Sequence, residues 1–173
     1  MARVPPTTGP VDPVAQAELD RQVSAHGRVT NMKRTLAHSP ESLTALMTWY
    51  PLRDAVAEFL GPRATTLFAH AVSTETDCLV CSTFFRRALT DVGEDPDHLV
   101  LDDREAALVA YGLALTRDNS FVPDAVYDRV AAFLTPPQMV ALTAFGAMMI
   151  ATNVFNNAVL VDLDGYLQSY RRP

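Results

Sequence analysis

Cysteine is nearly absent: two residues in 173, too few for a disulfide-framework protein. Basic charge is also short. Fourteen Lys and Arg face twenty Asp and Glu, a formal charge of -6, whereas a nucleic-acid binder carries a basic patch or stripe. The one dense basic cluster is Arg171-Arg172 at the C-terminus, so neither nucleic acid nor an anionic membrane is an expected partner. Strand signals are missing as well. The single Asp-Gly, Asp164-Gly165, lies in the C-terminal tail, not between alternating runs. No early apolar stretch has the length of a secretory signal, which makes the cytoplasm the expected location.

What remains is enough for one domain: 49% of the residues are hydrophobic and 20% charged, a composition that buries a core. Val130 to Val161 contains no charged residue. Pro136-Pro137 interrupts that run, Gln138, Thr143, Thr152, Asn153, Asn156 and Asn157 dilute it, and Asp162 and Asp164 follow it in place of Lys or Arg. These features predict a core helix or an oligomer seam in place of a membrane span. Ala144, Ala147 and Ala151 share one face of it, beside Gly146, and permit close approach of another helix.

The punctuation is helical throughout. Asp12-Pro13 predicts an N-cap and first helical residue for a helix ending near His26-Gly27, and Ser39-Pro40 repeats the device. Pro51 and Gly61-Pro62 are read as breaks. Asp102 with Glu105, and Thr135-Pro136-Pro137-Gln138, are capping boxes, and Pro123-Asp124 opens another helix. The expectation is an all-α fold of eight to ten helices, with residues 1–12 as a flexible arm and residues 13–173 as a single helical domain.

Cys78 and Cys81 stand at i and i+3, with Val80, Phe84 and Leu89 at helical spacing around them. A helix therefore begins near Cys78, with Asp77 as its natural N-cap, and the two thiols share a face about 5–6 Å apart. The positive helix end favours a thiolate, more so at Cys78, while an ionised Asp77 opposes it. Three readings stand: a redox pair, two small buried hydrophobes, or half of a zinc site. Zinc would need His26, His38, His70 or His98, none of them spaced as a histidine ligand pair.

The segment around the pair resembles the carboxymuconolactone decarboxylase family, and within it the alkylhydroperoxidase D-like branch. The likeness runs over roughly residues 26–160: His26 to Pro40, the CxxC, Leu101 to Thr116, Leu134 to Leu142 and Thr152 to Asn157. It implies an alkylhydroperoxidase D-like helical bundle assembling into trimers or larger rings. It also implies thiol-dependent reduction of a peroxide or disulfide, with Cys81 attacking, Cys78 resolving, and no organic or metal cofactor. A protein or lipoyl dithiol would restore the thiols. The branch carries a His four residues after its second cysteine and a Glu twelve before its first; here Phe85 and Thr66 stand there. His70, one turn nearer the cysteines than Thr66, is then the candidate base, oriented by Glu75. Arg86 and Arg87 are candidates for attracting an anion or lowering a thiol pKa, or for a solvated face. Trp49 and Tyr111 are read as core or pocket lining. The alternatives are a non-catalytic redox-sensing or scaffold member lacking the Glu/His relay, and an enzyme acting on lactones or acids.

Overall fold

Proline and short acceptor side chains open most of the helices in the computed structural model, which describes residues 2–172. In chain order they are α1 (Pro13–His26), α2 (Asn31–Leu36), α3 (Pro40–Met47), α4 (Trp49–Leu60), α5 (Pro62–Glu75), α6 (Leu79–Thr90), α7 (Asp103–Thr116), α8 (Asp124–Ala131) and α9 (Pro136–Val159). Two 3₁₀ segments, Asp118–Ser120 and Gly165–Tyr170, complete them. No strand occurs among the described residues, as an all-α fold requires.

The caps explain the boundaries. Asp12 accepts the amide of Val14, Ser39 that of Ser42, and Thr30 that of Lys33. Asp102/Glu105 and Thr135/Gln138 close reciprocal capping boxes on α7 and α9, each satisfying amides the first turn leaves free. Pro51 does not break the chain as expected: it lies in the first turn of α4, where a missing N–H costs no intrahelical bond. Asp77 is not an N-cap either. It takes a left-handed φ of 49°, and Cys78 itself is the N-cap residue of α6. The α5–α6 corner closes through the Cys78 amide, which donates to Ser73 O at 3.1 Å.

α5 runs through the centre, packing against α4, α6, α7 and α9. Phe68 is fully buried there, 5.9 Å from the Phe145 ring of α9 and 6.5 Å from Tyr111 of α7. Tyr111 ends on the hydroxyl of Thr143 at 2.6 Å, so it is a core residue. Gly146 lets α9 approach: a Cβ there would lie 2.6 Å from Leu115 and 3.0 Å from Phe68.

α9 divides into two faces. Phe145, Gly146, Met149, Thr152, Asn153 and Asn156 are buried, while Val140, Ala147, Ala151 and Val154 face solvent. It is long and apolar enough to cross a membrane by length and composition, but its buried polar residues hold the α5–α6 corner. That is the work of a core helix. At the other end of the chain Arg3 N donates to Val159 O, its guanidinium donates to Ala158 O, and the Thr7 hydroxyl donates to Arg34 O.

Candidate active site

Asparagines on α9 assemble the site. Asn153 Nδ2 donates to the Thr76 hydroxyl at 2.8 Å, and Asn157 Nδ2 to Thr76 O at 2.9 Å, which fixes the corner before the cysteines. One helical turn along, the buried Asn156 Nδ2 donates to Cys81 Sγ at 3.2 Å and reaches Cys78 Sγ at 3.8 Å. One amide thus serves both sulfurs, and both cysteines are free thiols.

The two thiols are unequal. Cys78 is brought down to about 7, first because the Cys81 S–H donates to it, then through the Cys81 amide, the Asn156 side chain and the Val80 amide, against the opposing pull of burial. Cys81 moves the other way: its proton is committed to the Cys78 sulfur, and burial adds to the shift. A pair holding one proton between two sulfurs is the stable ionised form. Exposure runs opposite to acidity. Cys78 has 0% of its surface exposed and Cys81 8%, and only Cys81 faces the cavity.

That cavity, of about 60 Å³, is walled by Met32, Trp49, Tyr50, Val80, Phe84, Phe85, Met149 and Leu167, with Thr30, Lys33, Thr152, Asp164 and Tyr166 as its polar groups. A water needs about 10–15 Å³ of such space, so a small molecule of several heavy atoms fits. Phe85 stands edge-on to Phe84, 5.2 Å between centroids; the wall there is hydrocarbon. Thr66 spends its hydroxyl on Pro62 O of its own helix at 2.8 Å.

The structure does not bring His70 to this cavity. It lines a separate cleft with Thr74, Asp77, Ser82, Thr83, Arg86 and Asp97, and burial, then Arg86, lowers it to about 4. Glu75 does not orient it: that carboxylate pairs with Arg117 at 2.6 Å. Arg86 is not a free cation, because it grips Asp97 with both terminal nitrogens at 2.7 Å and donates to Tyr170 O. Arg87 pairs with Asp91 at 3.0 Å. No group of three or more His, Cys, Asp or Glu suited to a metal occurs among the described residues.

One polar group of the cavity escaped the sequence reading. Lys33 on α2 is 2% exposed, its ammonium 5.0 Å from the centre of the Tyr50 ring. Burial lowers it from 10.5 to about 8, against the pull of Glu18 and Asp164. No motif marks it, but a count does: of fourteen basic residues it is the sole lysine. Its titration is testable as stability. Folded Lys33 gives up its proton near pH 8 and an unfolded lysine near 10.5. Across that window the unfolded chain binds more protons, so stability rises with pH; below pH 8 both states are protonated and the cost of burying the charge is fully present. Urea midpoints at about pH 7.5 and about pH 9.5 will show wild type gaining stability relative to Lys33→Met. Parallel shifts in the two proteins would show that Lys33 titrates like an unfolded lysine.

Solved structures share this architecture over nearly the whole chain. The debrominase Bmp8 is similar with a TM-score of 0.80 at 15% identity, covering 96% of this chain and 95% of that one. An AhpD-core, peroxidase-related protein from Ralstonia eutropha matches with a TM-score of 0.73 at 17% identity, covering 98% of each chain. The chain has the AhpD-like fold. A cysteine-to-alanine variant of the debrominase Bmp8 in complex with 2,3,4-tribromopyrrole also matches, with a TM-score of 0.80 at 15% identity, covering 96% of this chain and 94% of that one. No family model matches the sequence, and no curated protein matches it. Within the AhpD-like fold of this chain, the corner between α5 and α6 carries the dithiol and α9 supplies the amide that touches it.

Proposed function

We propose that the chain is an alkylhydroperoxidase D-like dithiol oxidoreductase that reduces a peroxide or a disulfide. The observation that carries the reading is that two free thiols share the Asn156 amide while Cys81 alone opens on an apolar cavity. With a hydroperoxide, the Cys81 thiolate attacks the distal oxygen and the O–O bond breaks. Cys81 becomes a sulfenic acid, and the departing alkoxide takes a proton to become an alcohol. Cys78 then attacks the Cys81 sulfur, an S–S bond forms and water leaves. The peroxide gains the two electrons the dithiol loses, and an external protein or lipoyl dithiol returns them. A thiol pair kept reduced in this way suits the cytoplasm. The test is consumption of cumene hydroperoxide, hydrogen peroxide and a chromogenic disulfide with a dithiol reductant. No turnover, together with thiols titrating near the ordinary value of about 8.5, would leave the non-catalytic sensor or scaffold.

A second reading, reductive dehalogenation, draws on the aromatic cavity walls and the likeness to Bmp8. There a carbon–bromine bond would become carbon–hydrogen. The dithiol would supply two electrons and one proton to carbon, and bromide would leave with the second proton. Bromide release from 2,3,4-tribromopyrrole under the same conditions separates the two readings.

The same proposal includes a homo-oligomer built on the outer face of α9. Val140, Ala144, Ala147, Ala151 and Val154 recur at alternating spacings of four and three, and Val140 and Val154 are 69% and 60% exposed. Small residues at that spacing let a second helix pack closely. Wild type is expected to sediment as a multiple of 18.9 kDa, and Ala147→Glu as a single subunit with unchanged thiol reactivity. A wild-type monomer would refute the seam.

A further inference from the structure

We infer that Lys33 is the proton shuttle of the Cys81 cavity, with Asp164 Oδ2 holding the substrate's O–H or N–H beside it. The inference rests on the dithiol reading and supplies the group that Thr66 and Phe85 do not. Placement argues first. Lys33 and Asp164 line the same cavity as Cys81, and they are 2% and 8% exposed. Asp164 divides its oxygens: Oδ1 accepts the Asn31 amide at 2.9 Å, while Oδ2 is buried with no hydrogen-bond partner. A buried carboxylate oxygen without a donor costs free energy, and a ligand carrying an O–H or N–H in the cavity removes that cost.

The choice of residue argues second. Every other basic side chain is arginine, which keeps its proton in proteins and pairs better with carboxylates. A buried cation serving only to neutralise Glu18 and Asp164 is better made by arginine. Lysine differs in that burial can bring its proton loss near neutrality, and a value of about 8 suits a group that both takes and gives protons. Burial sets that value against the pull of Glu18 and Asp164, and further groups face the same region. Glu18 and His26 come from α1, Tyr50 and Arg53 from α4, Cys81 from α6, and Asp164 and Tyr166 from the C-terminal segment. Arg28 and Arg34 act on Asp164.

The step balances. The neutral Lys33 amine takes the Cys81 proton, the thiolate attacks the distal oxygen, the O–O bond breaks, and the Lys33 ammonium returns the same proton to the departing alkoxide. Asp164 gains and loses nothing; it accepts the hydrogen bond of the peroxide O–H.

Alkylation by iodoacetamide reads the Cys81 thiolate without any substrate turnover. In a Cys78→Ser background, Lys33→Met should raise the pH midpoint of Cys81 alkylation by about one unit or more, the usual effect of losing a neighbouring opposite charge. An unchanged midpoint overturns the inference. Peroxide turnover in the intact dithiol protein should fall about 10²-fold or more with Lys33→Met, the usual worth of a proton-transfer group. An alkylation shift in a protein with no peroxide turnover would keep the Lys33 inference and sink the peroxidase reading. Should Lys33→Met fail to fold, ¹³C-lysine labelling of the Cys78→Ser protein, in which no second thiol can displace a mixed disulfide at Cys81, gives a single side-chain signal, since the chain has one lysine. Its titration midpoint should drop once Cys81 is converted to its methyl disulfide, because a thiolate that favours the ammonium has been removed. No movement overturns the inference.

Discussion

Cys81→Ser will consume no peroxide, while Cys78→Ser will consume one equivalent and stop. The asymmetry follows from access outweighing acidity. Cys78 is the more acidic thiol, brought to about 7, and acidity alone would make it the nucleophile. Each pKa unit, however, changes the thiolate fraction at most tenfold, whereas 0% exposure leaves Cys78 no path to a reactant. Cys81 faces the cavity, so the accessible sulfur attacks and the buried one resolves. Serine at position 81 removes a thiolate for which a hydroxyl is no substitute at neutral pH, and turnover should fall below detection. In Cys78→Ser the reaction halts at a Cys81 sulfenic acid, which dimedone should capture stoichiometrically. Capture on position 78 in a Cys81→Ser protein would reverse the roles.

The helical frame was legible in the sequence because its signals are local. Asp12-Pro13, Ser39-Pro40, Asp102/Glu105 and Thr135/Gln138 each act within one turn, and each opens the helix it announces. Pro51 misled because a proline breaks a helix only beyond its first turn. Asp77 misled because the α5–α6 corner needs a left-handed residue before Cys78, and aspartate suits that conformation as well as a cap. The site was legible only in part. The cysteine spacing and the asparagine-rich end of α9 were visible, and the Asn156 contacts join them. The walls of the cavity come from α2, α4, α6, α9 and the C-terminal segment, and no spacing rule links positions so far apart. His70 shows the limit of periodicity. Spacing put it on the face of Thr66, but helical phase alone cannot say that this face opens on a different cleft.

Phe68→Ala should cost about 3–5 kcal/mol, a large share of the 5–15 kcal/mol typical of a domain. Its ring is fully buried where α5, α7 and α9 meet, stacked near Tyr111 and tilted against Phe145, and both facing glycines accommodate it. A Cβ on Gly112 would come 3.2 Å from its edge and one on Gly146 3.0 Å from its tip. Backbone on two sides cannot move in as a side chain would, so the cavity left by alanine stays largely open and the loss falls toward the upper end. Denaturant midpoints measure it, and a loss under about 1 kcal/mol would mean that the helices close over the gap. The consequence reaches the thiols. α9 holds Asn153, Asn156 and Asn157 against the corner that α5 delivers, and Phe68 sets the spacing of those two helices. In Phe68→Ala protein that is still folded, a looser Asn156 amide will raise the pH at which the pair first ionises. A thiol titration unchanged alongside a full stability loss would show that the asparagine frame holds the dithiol without help from the core.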